Sequence, residues 1–131
     1  MDILIDSSVI IASERGQLDL DAIVRRHAAD FLALSAVGVA ELHYGVQKRP
    51  ARYRSAAQAF VAQLLAQFPI IPFDGAAADV HASIRLLLEK AGTPLGHNDL
   101  LIASIALANG MTVAARDRDF GRLDQLTVLR W

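Results

Sequence analysis

The sequence predicts an α/β fold, a mostly parallel sheet of four to five strands with helices on both faces. Short apolar runs of strand length alternate along the chain with longer segments of helical periodicity, the pattern of parallel sheets. Of 131 residues, 53% are hydrophobic and 21% charged, enough apolar material for a packed core. No linker, repeat or low-complexity tract divides the chain, so residues 1–131 are expected to form a single domain.

Ile3-Leu4-Ile5 reads as a short buried strand. Ser7-Ser8 offers an N-cap for a helix through Val9-Ile10-Ile11-Ala12. Leu18 to Ala29 is helical in pattern, with Leu20, Ile23, Val24 and His27 near one face. Phe31 to Ser35 is a second strand and Ala36 to Gln47 the next helix, broken by Lys48-Arg49-Pro50. Ala51 to Gln67 is a long helix with Ala56, Phe60, Leu64 and Phe68 at helical spacing. Pro69 to Phe73 reads as a third strand. Asp74-Gly75 opens a helix over Ala76 to Lys90, which Gly92 caps and Pro94 keeps from resuming. Asn98 to Asn109 is apolar nearly all round, as a buried helix is. Met111 to Ala115 is a fourth strand and Thr127 to Leu129 a candidate fifth.

Composition excludes several classes. A formal charge of −1 rules out a broad cationic coat for nucleic acid, so a polyanion must be held by a local patch. With no cysteine there is no disulfide, zinc–thiolate site or thiol nucleophile. The start, Met1-Asp2-Ile3-Leu4-Ile5-Asp6, is too acidic for a signal peptide. The longest apolar run, Leu100 to Ala108, is interrupted by Ser104 and far short of a membrane span. The expected location is therefore the cytoplasm, with no membrane partner.

Four acids stand where acids are awkward. Asp6 ends the first strand, Glu41 interrupts a helical stripe between Val37 and Tyr44, Asp99 opens Leu100-Leu101-Ile102-Ala103, and Asp117 follows Val113-Ala114-Ala115. Each alone has a bland account: a cap, a first-turn acid, a polar turn, or a glutamate paired with Lys48. Together they do not. Two carboxylates about 5 Å apart repel by roughly 3 kcal/mol at an effective dielectric near 20, so several in one pocket need protons or a metal. Ligands in open α/β sheets bind beyond the carboxyl ends of the strands, where these acids could converge. Oxygen-only donors favour Mg²⁺ or Mn²⁺ over zinc.

Four segments carry a family resemblance: Ile3-Leu4-Ile5-Asp6-Ser7-Ser8, Ser35 to Gly45 around Glu41, Gly96-His97-Asn98-Asp99-Leu100-Leu101-Ile102-Ala103, and Ala115-Arg116-Asp117-Arg118-Asp119-Phe120. In this order the chain resembles a PIN domain, and within that class a VapC-type toxin ribonuclease of a bacterial toxin–antitoxin pair. The resemblance implies a PIN-like α/β/α sandwich and maps Asp6, Glu41, Asp99 and Asp117 onto the family's acidic quartet, with Asp119 rivalling Asp117. Asp6 and Asp99 are then the principal metal anchors, Glu41 a holder of water or general base, and Asp117 the completing ligand. Ser7-Ser8 stands where the family has Thr-Asn, and Ala115 where it has threonine. The implied reaction is Mg²⁺- or Mn²⁺-dependent hydrolysis of RNA, leaving a 5′-phosphate and a 3′-hydroxyl. The implied partners are a VapB-like antitoxin, a second copy of the chain, and operator DNA through the antitoxin complex.

Supporting roles fall to Ser7, which keeps a hydroxyl, and to Asn98 as helix cap or orienter of Asp99. Lys48, Arg49 and Arg52, with Arg54, surround Pro50, and Arg116 and Arg118, with Arg122, flank the fourth acid; these are the candidate RNA contacts. Tyr53 could stack on a base. His97 is a turn or substrate residue, and His27, His43 and His81 are ordinary helix positions.

Competing readings are weaker. A haloacid-dehalogenase-type phosphatase needs an acid at Ser8, and a dinucleotide module needs a glycine-rich first turn, which Asp6-Ser7-Ser8 lacks. Ser7 and Ser104 have no matching His/Asp arrangement for a serine hydrolase. A DNA nuclease of the same class stays open, as does a non-catalytic toxin–antitoxin regulatory module. The latter should lack an acid, and none is missing.

Overall fold

The computed structural model describes residues 1–131. Its elements in chain order are β1 (Asp2–Ile5), α1 (Ser7–Glu14), α2 (Leu20–Arg26), β2 (Phe31–Ser35), α3 (Ala36–Lys48) and α4 (Ala51–Gln67). They continue with β3 (Ile70–Ile71), α5 (Gly75–Ala91), α6 (His97–Ala108), β4 (Thr112–Ala115), a 3₁₀ turn (Asp119–Arg122) and β5 (Val128–Arg130). The five strands form one sheet in the order β3-β2-β1-β4-β5, and every pairing is parallel.

Strand residues alternate between two cores, which makes the α/β/α sandwich. Leu4, Ala33, Val113 and Ala115 face a core completed by Ile84 and Leu88 of α5 and Ile102 and Ile105 of α6. Ile3, Ile5, Leu32, Leu34 and Ala114 face the other, completed by Val9, Leu20, Leu42, Val61 and Leu64 of α1 to α4. With both faces covered, the strands need no polar side, which is why β1 and β4 read as unbroken apolar runs. α6 buries Leu100, Ile102, Ala103, Ser104, Ile105 and Ala106, as its all-round apolarity implies. No helix is long and apolar enough to cross a membrane.

Several boundaries differ from expectation for local reasons. Asp6, not Ser7-Ser8, caps α1, its side chain accepting from the Ser8 N–H. α2 starts at Leu20 because Asp19 caps it through Ala22. β3 shrinks to two residues: it lies at the sheet edge and Pro72 has no N–H for a ladder. α6 begins at His97, with Gly96 at the N-cap position. β5 is displaced by one residue, to Val128–Arg130. In α4 the buried stripe is Ala57, Val61 and Leu64, leading to Phe68; Ala56 is exposed and Phe60 only half-buried. Gly92 ends α5 as expected, at φ 73° in the left-handed region, its N–H bonded back to the Glu89 and Leu88 carbonyls.

Candidate active site

The chain winds outward through β1, β2 and β3, then returns to build β4 and β5 on the other side of β1. The switch point therefore lies between β1 and β4, and their carboxyl ends deliver Asp6 and, two residues beyond Ala115, Asp117. α3 follows β2 without a loop and brings Glu41 in on its second turn; α6 brings Asp99 in its first turn.

Asp6 is 4% exposed. Its Oδ2 accepts the Ser8 N–H at 3.1 Å and the Ser8 hydroxyl, while Oδ1 is buried with no protein partner. Ser8 Oγ in turn accepts the Arg116 N–H at 3.2 Å, and the Asp6 N–H donates to the Ala114 carbonyl at 2.9 Å. The ends of β1 and β4 are thus stitched together at the carboxylate.

Glu41 is held differently from the Lys48 pairing considered above. The Ser7 hydroxyl donates to its Oε1 at 3.2 Å, with the Asn98 side chain nearby. Lys48 instead lies over the Tyr44 ring, 5.3 Å from its centroid. Tyr44 is exposed, so Glu41 sits at the rim of the buried Gly38, Val39, Leu42 and Val46 face, not within an apolar stripe. Asn98 makes no capping bond for α6.

Asp99, Asp117 and Asp119 each place a carboxylate oxygen within 4.8 Å of the others. Both rivals for the fourth position, Asp117 and Asp119, therefore lie beside Asp99. They differ in company: Asp117 Oδ1 accepts the Asp119 N–H at 3.1 Å, whereas Asp119 meets Arg122 at 3.4 Å.

Burial, first, and then neighbouring acids push Asp99, Asp6 and Glu41 upward. Asp99 rises to about 6, through burial and then the charges of Asp6, Asp117, Glu41 and Asp119. Asp6 is raised by burial against the opposing Ser8 hydrogen bonds. Glu41 is raised by burial against the hydrogen bond from Ser7. The clustered oxygens of Asp99, Asp117 and Asp119 fit a hard divalent cation such as Mg²⁺ or Mn²⁺; Asp6 and Glu41 stand outside that trio but within charge range of Asp99, Asp6 with its Oδ1 buried and unpartnered.

The expected cations divide in two. Arg49 is paired with Glu14, Arg54 donates to the Arg49 carbonyl at 2.9 Å, Arg116 donates to the Trp131 carbonyl at 3.3 Å, and Arg122 donates to the Pro94 carbonyl at 2.7 Å. Lys48, Arg52 and Arg118 are exposed and make no ion pair, Arg52 lying over the half-exposed Tyr53 ring at 4.6 Å. His97 is exposed beside Asp99; His27 pairs with Asp30, and His81 packs edge-on against Phe73. The sequence marks Ser8 only as a cap; its one further signal is a hydroxyl two residues after an acid, the spacing of a local side-chain turn.

The chain belongs to the PIN domain family, whose model matches residues 3–126. Among its relatives, it is 34% identical over 122 residues to Ribonuclease VapC5 of Mycobacterium tuberculosis, covering 92% of this chain and 87% of that protein. It is 32% identical over 101 residues to Ribonuclease VapC2 of Rickettsia felis, covering 76% and 74%. Its fold matches a chain of the crystal structure of VapBC2 from Rickettsia felis bound to a promoter DNA fragment. There the TM-score is 0.91 at 26% identity, with 100% of this chain and 99% of that one covered.

Proposed function

We propose that this chain is a divalent-metal-dependent endoribonuclease of the toxin class, neutralised by a cognate antitoxin. The observation that carries the reading is the convergence of Asp6, Glu41, Asp99, Asp117 and Asp119 at the switch point, with Asp6 Oδ1 left unpaired. The names of the relatives, ribonucleases and toxin–antitoxin complexes, support the same reaction and the same kind of partner. Contact with operator DNA through such a complex, and pairing with a second copy, are part of the proposal.

In this reading Asp6 and Asp99 are the main anchors for Mg²⁺ or Mn²⁺, joined by Asp117, with Asp119 in reserve. When bound there, the ion acidifies water and neutralises charge on a phosphate. Glu41, held by Ser7 and raised by burial, would accept the proton of the attacking water. Ser8 fixes the rotamer of Asp6. Lys48, Arg52 and Arg118 are the free cations that can hold flanking phosphates, whereas Arg49 and Arg116 are engaged in the protein's own bonds.

Incubating the purified chain with RNA in Mn²⁺ and in EDTA tests this reading. Cleavage only with metal, giving 5′-phosphate ends, is expected; cleavage that survives EDTA, or none on any RNA, would overturn it.

A further inference from the structure

α3 carries a glycine that neither its helix nor its packing requires. Gly45 lies in the helix interior with φ outside the left-handed region, where glycine is about 1 kcal/mol worse than alanine. Gly38, earlier in the same helix, has a packing reason: a Cβ there would meet Ser35 Oγ at 3.2 Å. A Cβ at Gly45 would meet nothing within 4 Å. The space left open belongs to a groove of about 220 Å³ between α1 and α3. Glu41, Gly45 and Lys48 line it from one face of α3, at the i, i+4, i+7 spacing of a helix. Arg15 lines it from the end of α1, and the Glu14–Arg49 pair links its two sides.

The groove's charge identifies its occupant. Glu14 is matched by Arg49, so the unpaired charges are the Glu41 carboxylate at the end nearest Asp99 and the two cations Arg15 and Lys48, which leave the groove net positive. We propose that the groove seats the sugar–phosphate backbone of the RNA strand on one side of the scissile bond. Gly45 is its floor, and Arg15 and Lys48 contact the phosphates. A bare helix backbone lets a nucleic-acid backbone approach closely beside Glu41, the role glycine commonly fills at ligands. This assignment rests on the ribonuclease reading and adds a substrate track to it.

Gly45→Leu tests the floor. It improves helix propensity and adds its Cβ into open space, so thermal unfolding at or above the wild-type temperature is expected, with the groove filled. Fluorescence anisotropy of a short labelled single-stranded RNA in EDTA reads binding without cleavage. The Kd should rise about tenfold or more, equal to ~1.4 kcal/mol. Gly45→Ala should shift it less. Arg15→Glu should weaken binding independently and lower the salt dependence by about one phosphate contact. RNA affinity within about twofold of wild type in both Gly45→Leu and Arg15→Glu overturns the proposal. So does a Gly45→Leu variant that binds RNA normally and only escapes neutralisation by a partner protein, since that assigns the groove to a peptide. Cleavage in Mn²⁺ is read separately: a wild type that binds this RNA through the groove but never cuts it sinks the ribonuclease reading and leaves the groove standing.

Discussion

Ser7 donates its hydroxyl to Glu41 across 34 positions of sequence, at 3.2 Å, and so joins the first turn of α1 to the second turn of α3. Ser7 is buried at 7% exposure, and Glu41 is half-buried. Ser7→Ala removes the side-chain hydrogen bond that steadies Glu41. A stability loss of about 1 kcal/mol is expected, with kcat/KM down roughly tenfold, the low end for an outer-shell partner. Ser7→Thr should restore both. Unchanged kcat/KM in the alanine variant would remove Ser7 from the site.

Asp99 makes the metal-free protein sensitive to pH. Its folded-state value, about 6, lies above the 3.8 of an ordinary aspartate. Its contribution to stability is therefore present in full at acid pH and is lost as pH rises through 6. Asp99→Asn abolishes that loss. In EDTA the variant should unfold at a higher temperature than wild type near pH 7.5 and at a similar temperature near pH 4, while losing RNA cleavage. A wild type that gains stability over wild type-minus-Asp99 as pH rises would contradict the crowding of charge at this position.

Mn²⁺ should act in the opposite sense, because it needs these carboxylates ionised. At a hundredfold excess over its Kd the ion adds about 2.7 kcal/mol to stability. The unfolding temperature should rise by several degrees near pH 7.5, by much less near pH 5, and return with EDTA. An equal shift at both pH values would place the ion elsewhere.

Asp6→Asn should keep the fold and lose the reaction. An amide oxygen still accepts both Ser8 donors, so the stitch between β1 and β4 survives. The buried Oδ1 position becomes an NH₂ that cannot bind a cation. Cleavage should fall by more than the roughly hundredfold typical of outer-shell changes, with circular dichroism unchanged. Substantial residual cleavage would unseat Asp6 as an anchor.

Asp117 and Asp119 are separable through Arg122. The guanidinium 3.4 Å from Asp119 already offsets part of its charge. Asp117→Asn is expected to reduce kcat/KM by about tenfold more than Asp119→Asn does. The reverse ranking in steady-state assays would make Asp119 the fourth ligand.

The architecture was legible because the central strands are apolar runs buried on both faces and most helices carry one apolar side, with α6 apolar nearly all round; those patterns survive without coordinates. The acids were legible because Asp6 and Asp99 abut apolar runs that exclude water. What the chain did not disclose were contacts between distant segments. The Arg116 N–H reaching Ser8 spans 108 positions and depends on β4 lying beside β1. Glu41 and Lys48 are two turns apart on α3, so reach alone could not decide between that pair and a hydroxyl arriving from α1. In α4, alanines on several faces left the helical phase ambiguous by one residue, and Phe60 was placed too deep. The edge position that shortens β3 is likewise a property of strand order, not of the run itself.

The placement of β1 in the middle of the sheet has a consequence for the cell that makes this protein. β1 pairs with β2 early, but its other edge waits for β4, more than a hundred residues downstream. While the ribosome is still producing that stretch, Asp6 faces an unfilled flank and Asp117 does not yet exist. In the ribonuclease reading proposed above, a chain still short of β4 lacks Asp117 and leaves Asp6 on an unpaired strand edge, so the acid cluster can assemble only once the late strand docks.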